Sequence, residues 1–416
     1  MKISVFTPTH RPDYLGEVHR SLVRQTVKDF EWVVVPNGPP APLPEEIVRD
    51  PRVKIAPAPP DMVGKIGALK RFACDACSGD VFVELDHDDL LTERALERIQ
   101  KAVLDGAGFV YSDFVNFLPD GSSQTYDARF GWTAREETID GHAYRVSEAF
   151  DCDARSLYEI FFAPNHVRAW ARDTYYSAGG HDPSLEVCDD HDLVCRTYLT
   201  GDRMVRVPEC LYLYRLQEGD RNSYLEQNAQ IQKLQLAVGN KYFYRLVEEW
   251  CRREGLPRWD LGGRVGCPEG YRSIDLADAD LVHDVTTGLP FADSSVGILR
   301  AYDFLEHVPA ASVVPVMNEI HRVLVPGGWL LSRTPSTDGR GAFQDPTHVS
   351  FWNENSFWYY TKKDFSRFVR GIACRFQGTR VWTEFPTEWH RHNQIPYVYA
   401  DLCALKGQRV PGVQEI

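Results

Sequence analysis

The sequence predicts an α/β protein built as two layered units, each a mostly parallel sheet with helices packed on its faces. Three observations carry this. Apolar runs of strand length alternate with stretches of helical periodicity through the first half of the chain and again after residue 257, the pattern of parallel strands joined by covering helices. The 416 residues exceed the about 250–300 that one hydrophobic core organises. Gly255-Leu256-Pro257 breaks the chain between the two alternating halves.

In order, Ile3–Thr7 reads as a strand, and Tyr14, Leu15, Val18, Leu22 and Val23 recur at helical spacing. Trp32–Val35 is a second strand, ended by a Pro-rich breaker series, and Arg52–Ala56 a third. Lys65–Ala76 is helical, and Val81–Leu85 is a strand that runs into Asp86-His87-Asp88-Asp89. Thr92 is placed to cap a helix with Leu96, Ile99 and Val103 on its apolar side. Residues 116–150 lose the rhythm and read as an excursion over the sheet. Order returns at Ala169–Thr200, followed by short strands at Met204–Val207 and Cys210–Arg215 and a long helix over roughly 224–254. Beyond it, Asp260–Gly263, Ser273–Asp275, Leu281–Asp284, Ile298–Tyr302 and Trp329–Thr334 are strand candidates, with a helix at Ala311–Leu324 stopped by Pro326-Gly327-Gly328. The expected division is a first domain at 1–225, a helical linker at 226–256 and a second domain at 257–416.

Hydrophobic residues make up 43% and charged residues 25%, the balance of an ordinary globular protein. Lys and Arg number 46 against 59 Asp and Glu, a net charge of −13. That argues against broad nucleic-acid binding, which needs a basic face, without excluding a local basic groove. No run approaches the about 18–20 apolar residues of a membrane helix, and residues 1–12 carry no apolar segment of signal-peptide length, so a cytoplasmic protein is expected. The ten cysteines are scattered, which suits reduced thiols. Cys74 and Cys77 fall in a helical pattern and read as buried thiols rather than as a zinc or redox pair.

Ligands of open α/β sheets bind beyond the carboxyl ends of the strands, where Asp86, His87, Asp88 and Asp89 stand. Crowded carboxylates repel unless a cation neutralises them, and Mg²⁺ or Mn²⁺ prefers such oxygen ligands together with substrate phosphate. Helix capping accounts for one of these acids but not for the cluster. A second cluster, Asp189, Asp190 and Asp192, follows Gly179-Gly180. Asp190 fits two roles equally: an N-cap, or a general base for an acceptor hydroxyl.

The ordered series VFTPTHRPDYLGEVHRSLVRQT, WVVVPNG, GKIGALKRFACDACSGD, VELDHDDLL and GGHDPSLEVCDDHDLVCRTYLTG resembles family 2 glycosyltransferases with the GT-A nucleotide-sugar-binding fold. The resemblance implies that Asp86 and Asp88 hold a Mn²⁺ or Mg²⁺ ion and the donor diphosphate, and that Asp190 is the catalytic base. It also implies that Thr7, Pro8, Thr9 and Arg11 line the nucleotide pocket and that Arg71 approaches the phosphates. Asn37 stands where the family usually has a base-contacting Asp, and can still hydrogen-bond a base edge. The partners implied are a nucleotide-sugar donor and a glycan, glycoside or other hydroxyl acceptor, with modified nucleic acid as an alternative acceptor.

The stretch around LGGRVGCPEGYRSIDLADADLVHDVTTGLPFADSSVGILRAYDFLEHVP, with MNEIHRVLVPGGWLLSRTP and FQDPTHVSFWNENSFWYY, resembles class I methyltransferases with a Rossmann-like fold that use S-adenosylmethionine. By that resemblance Gly262 and Gly263 touch the methionine portion, Asp275 the ribose, Asp284 and Leu289 the adenine surroundings, and His307 faces the sulfur region. Arg264 replaces the second glycine of the usual turn. The domain is expected either to methylate the glycosylated product or to act as a non-catalytic acceptor- or partner-binding module. His348 and the aromatics Phe351, Trp352, Phe357, Trp358, Tyr359 and Tyr360 frame an acceptor pocket or an aromatic core. Glu388, His390 and His392 would share one face of a strand, as metal ligands or as a solvated face.

Overall fold

The computed structural model describes residues 1–38, 42–160, 163–216 and 227–407. The chain divides into two compact units, Met1–Glu249 and Trp250–Ile416.

Among the described residues the first unit holds an eleven-stranded sheet. Its strands are β1 (Ile3–Thr9), β2 (Phe30–Pro36), β3 (Val53–Ile55), β4 (Val81–Glu84), β5 (Leu90–Leu91), β6 (Phe109–Phe117), β7 (Ser123–Gln124), β8 (Thr133–Ile139), β9 (His142–Glu148), β10 (Arg168–Ala171) and β11 (Met204–Arg215). The main path runs β3-β2-β1-β4-β10-β6-β11-β5, with β1 parallel to both β2 and β4. Chain order reverses between β1 and β4, so a crevice opens at their carboxyl ends. Every residue of β1 and β4 is buried, as expected of strands covered on both faces.

The helices that matter to the site are α1 (Leu15–Val23), α2 (Glu45–Arg49), α3 (Ile66–Ala76), α4 (Ala95–Leu104), α5 (Ala154–Glu159), α6 (Arg172–Ser177), α7 (Asp189–Leu199) and α8 (Asn228–Arg253). Helix α3 starts against the loop before α7: a Cβ at Gly67 would fall 2.1 Å from the Asp182 carbonyl oxygen. Glycine is required there for close backbone approach.

Two expectations for this unit are corrected. Thr92 does not cap α4, whose N-cap is Arg94; its hydroxyl donates to the Cys210 carbonyl at 2.9 Å, spent on closing the pairing of β5 with β11. Residues 116–150 are not irregular, because β8 and β9 form an antiparallel hairpin. It turns at Asp140-Gly141, where φ is 51° and 82°, a two-residue turn that this dipeptide favours. The buried Asp113 of β6 anchors it, taking hydrogen bonds from Arg135 of β8, Arg206 of β11 and the Ala149 amide.

The second unit holds, among its described residues, a seven-stranded sheet. Its strands are β12 (Arg258–Leu261), β13 (Arg272–Asp275), β14 (Leu281–Val282), β15 (Val296–Tyr302), β16 (Leu324–Pro335), β17 (Phe376–Glu384) and β18 (Tyr397–Ala404), in the order β14-β13-β12-β15-β16-β18-β17. β12 to β16 pair in parallel and β18 runs antiparallel to its neighbours β16 and β17. Order reverses between β12 and β15, a second switch point of the ligand-binding kind. Helix α9 (Ala310–Val323) packs against β16 and the Val285–Thr287 turn, burying Val316, Met317, Ile320 and Val323. Glu388, His390 and His392 lie on a helix, Glu388–His392, capped by Thr387. At 100° per residue His390 points away from the other two, so the shared strand face does not exist.

Candidate active site

A cleft of about 800 Å³ opens at the carboxyl ends of β1 and β4. Its floor is the acidic turn after β4, with Asp86, His87 and Asp88. One wall is the β1 rim, where the Thr9 hydroxyl donates to the Arg11 carbonyl at 2.6 Å and fixes the turn. Opposite stands the start of α7 with Asp189 and Asp190, and a third side comes from Asn116 and Gln124–Tyr126.

The acidic turn is held from behind. Tyr212 and Arg215 of β11 donate to Asp89 from a hydroxyl at 2.8 Å and an amide at 2.7 Å, and Arg215 Nε donates to the Asp88 carbonyl at 2.8 Å. Asp89 is thereby a fully engaged, buried anchor. Asp86 faces the cleft; burial pushes its carboxyl up to about 7 against the pull of the Lys70 ammonium. Arg11 Nη2 lies 4.0 Å from Asp88. One ligand atom each from Asp86, Asp89 and His166 lie within 4.8 Å of one another, and His166 Nδ1 is buried without a hydrogen-bond partner among the described residues.

Beneath the cleft lies a buried charge network. Arg168 of β10 makes two hydrogen bonds to Glu84 of β4, at 3.0 and 2.9 Å. Lys70 of α3 reaches the same carboxylate at 2.7 Å and Asp189 at 3.5 Å, and His181 lies 2.9 Å from Asp189. Arg168 extends its other nitrogen to Asp190 at 2.8 Å. The Asp190 side chain is 25% exposed, so it alone of the paired acids here keeps substantial access to the cleft. Buried charges are tolerable when paired and hydrogen-bonded in this way.

In the second unit, Gly262 follows β12 at φ +75°, and a Cβ there would lie 2.9 Å from the Phe304 ring. At Gly263 a Cβ would meet the Asp260 carboxylate at 2.7 Å. Asp260 is buried on Arg300 at 2.7 Å, and burial pushes its carboxyl up to about 6 against that guanidinium.

Residues 4–163 match the family model described as glycosyl transferase family 2, and residues 268–332 match that described as methyltransferase domain. The chain carries a family 2 glycosyltransferase domain and a methyltransferase domain. Among solved structures, S. aureus TarS is 19% identical with a TM-score of 0.40, over 56% of this chain and 39% of that one, so this chain spans less than half of that TarS chain. TarS 1–349 in complex with UDP-GlcNAc is 16% identical with a TM-score of 0.42, over 61% of this chain and 73% of that one. The mannosyltransferase PcManGT from Pyrobaculum calidifontis, in complex with GDP-Man and Mn2+, is 15% identical with a TM-score of 0.41, over 57% and 64%. No curated protein matches the chain. No described helix is long and apolar enough to cross a membrane.

In the glycosyltransferase domain, Pro8, Thr9, Arg11, Asn37, Asp86, Asp88 and Asp190 line one cleft. Asn37 Oδ1 accepts from the Gly64 amide at 3.1 Å, which leaves its NH₂ as the donor toward a ligand. Thr7 lies below the cleft, fully buried, donating to the Leu85 carbonyl and accepting from Trp32 Nε1. Arg71 also lies off the cleft lining. It is held on the outer side of α3 by Asp75, the Gly179 carbonyl and the Tyr176 ring, and the residue before it, Lys70, turns inward instead. Lys70, His166 and Arg168 were not anticipated. Cys74 and Cys77 are buried, and burial pushes both thiols up, Cys77 to about 12.

In the methyltransferase domain, Asp275 Oδ2 accepts from the Arg264 amide at 3.3 Å, tying the glycine turn to the end of β13. The Arg264 side chain is 54% exposed, 4.0 Å from Asp278, so it leaves the turn rather than filling it. Asp284 is exposed and caps a short turn through Thr286, and Leu289 is in the core. His307 sits after β15, its ring 5.0 Å from that of His348. Trp352, Phe357 and Tyr360 are core residues, whereas Phe351 is exposed.

Proposed function

We propose that the first domain is an inverting, metal-dependent glycosyltransferase that moves a sugar from a nucleoside-diphosphate donor to an acceptor hydroxyl, and that the second methylates the glycan or glycoside product. The observation that carries the first part is the meeting of the β4 acidic turn, the β1 rim and Asp190 in one cleft.

The donor set fits a hard divalent ion. Asp86 and Asp88 supply carboxylate oxygens, and Asp86 is a carboxyl whose ionised form a cation would restore. Such an ion supplies Lewis-acid charge to the departing diphosphate. The chain's own residues do the rest. Thr9, Arg11 and Asn37 form the nucleotide side. Glu84 and Asp189 neutralise Lys70, so its ammonium shapes the floor without adding net charge. Arg168 fixes Asp190 through Oδ2 and the His191 amide through Oδ1, and the outward lone pairs accept the proton of the acceptor hydroxyl.

Asp190→Asn removes the base and keeps one of these two hydrogen bonds, because its amide nitrogen only donates. Release of nucleoside diphosphate from UDP-GlcNAc or GDP-mannose, with and without Mn²⁺, is the assay; wild-type turnover in the variant would reject the base assignment. A second reading, of the methyltransferase domain as a non-catalytic acceptor-binding module, draws on the use of Asp275 to hold its own loop. Calorimetry with S-adenosylmethionine and methyl transfer to the glycosylated product separate the two.

A further inference from the structure

Glu306 follows β15 on the ligand-binding edge of the second sheet, beside Phe304 and hence beside the Gly262 turn. The residue is 2% exposed. Its Oε2 accepts from the Thr334 hydroxyl at 2.5 Å, while Oε1 is buried with no hydrogen-bond partner among the described residues. An orphaned buried carboxylate oxygen is costly and calls for a cation or a donor. Two imidazoles stand beside it: one ligand atom each from Glu306, His307 and His348 lie within 4.8 Å of one another.

Both rings are turned to present a lone pair. His348 Nδ1 is 3.0 Å from the Ala342 carbonyl oxygen, and His307 Nδ1 is 3.3 Å from that of Thr347 and 3.2 Å from the Thr347 hydroxyl, which donates its own proton to Asp345. A carbonyl only accepts, so each Nδ1 carries the proton and each Nε2 is left as a metal donor, the arrangement that outer hydrogen bonds impose on ligating histidines. The two segments are also locked together. The Val349 and Ser350 amides donate to the Glu306 carbonyl, and the Ser350 hydroxyl donates to that of Leu305.

We propose that Glu306, His307 and His348 form a divalent-metal site in the methyltransferase domain. Two imidazoles and one carboxylate suit Zn²⁺ or a neighbouring first-row ion such as Co²⁺, with a coordination position left open. Its use in chemistry rests on the methyl-transfer reading above. There the open position takes an acceptor hydroxyl and eases loss of its proton to water. An oxygen lone pair then bonds the methyl carbon of S-adenosylmethionine, and the electrons of the breaking C–S bond stay on sulfur.

The test is Co²⁺ titration of the full chain carrying Asp86→Asn and Asp88→Asn, which silences the other acidic site. One equivalent with visible d–d absorption is expected. His348→Ala should abolish it with the far-ultraviolet circular dichroism unchanged, and Thr334→Val should weaken binding by about 10–100-fold, as loss of an outer-shell partner does. Absorption that persists in His348→Ala, or none in the parent, overturns the site. Metal binding together with no heat from S-adenosylmethionine leaves the site standing and rejects the methyl-transfer reading.

Discussion

Asp190 and Lys70 stand on opposite sides of one chemical problem, placing charge in a buried floor without unfolding it. Asp190→Asn should lower sugar transfer by about 10²–10⁴-fold, the usual worth of a positioned base, with donor affinity by calorimetry nearly unchanged. Lys70→Met removes the ammonium that Glu84 and Asp189 share and leaves them Arg168 and His181 alone in a buried site, and should cost about 3–5 kcal/mol of stability, read from urea midpoints. The sequence marked the acidic turn and the α7 start because clustered acids are conspicuous in any chain. It put Arg71 at the phosphates and passed over Lys70, since adjacent residues differ only in helical phase, and the tertiary neighbour that turns Lys70 inward, Glu84, lies on a strand. His166 had no local signal at all; only the fold brings it to Asp86.

Among elements, α3 shows how packing overrides propensity. Alanine is intrinsically better than glycine in a helix by about 1 kcal/mol, yet Gly67→Ala forces a Cβ to 2.1 Å from the Asp182 carbonyl oxygen. The variant should melt lower, not higher, and lose donor turnover as the α7 loop shifts. Glu31 of β2 is a second joint. Burial alone would raise its carboxyl, but the Ser4 hydroxyl, the Ser78 amide and hydroxyl and Lys2 bring it from 4.5 to about 2. Its folded value lies below the unfolded one, so its stabilisation is present above pH 4.5 and lost as pH falls toward 2. Glu31→Gln should flatten the acid limb of stability in that window, followed by fluorescence-detected unfolding. Strands and helices on the main path were legible because their periods are clean. The β8–β9 hairpin was not, although its Asp-Gly turn was in view, because Thr133–Glu148 is mostly polar and lacks an apolar alternation.

For the molecule as a whole, alternation announced two α/β units, but strand order was beyond it. Nothing local in β12 or β15 says that they are neighbours across a gap of 34 residues between Leu261 and Val296, a gap that holds only β13, β14 and a three-residue turn; their pairing is a tertiary contact with no local signal. If each domain runs its own chemistry, Asp190→Asn should leave S-adenosylmethionine binding at its wild-type value, and His348→Ala should leave nucleoside-diphosphate release at its own. Calorimetry and the release assay on the same preparations check both.

The ionic post at Asp113 has a consequence for how such a chain diversifies. The hairpin it fastens is side-grafted onto the main path of strands, and the neighbouring Asn116 and Gln124–Tyr126 form the cleft side away from the β1 rim. Swapping that branch for another of different shape would reshape that side of the cleft while the acidic turn after β4 stays in place, provided the new branch brings a guanidinium where Arg135 now stands.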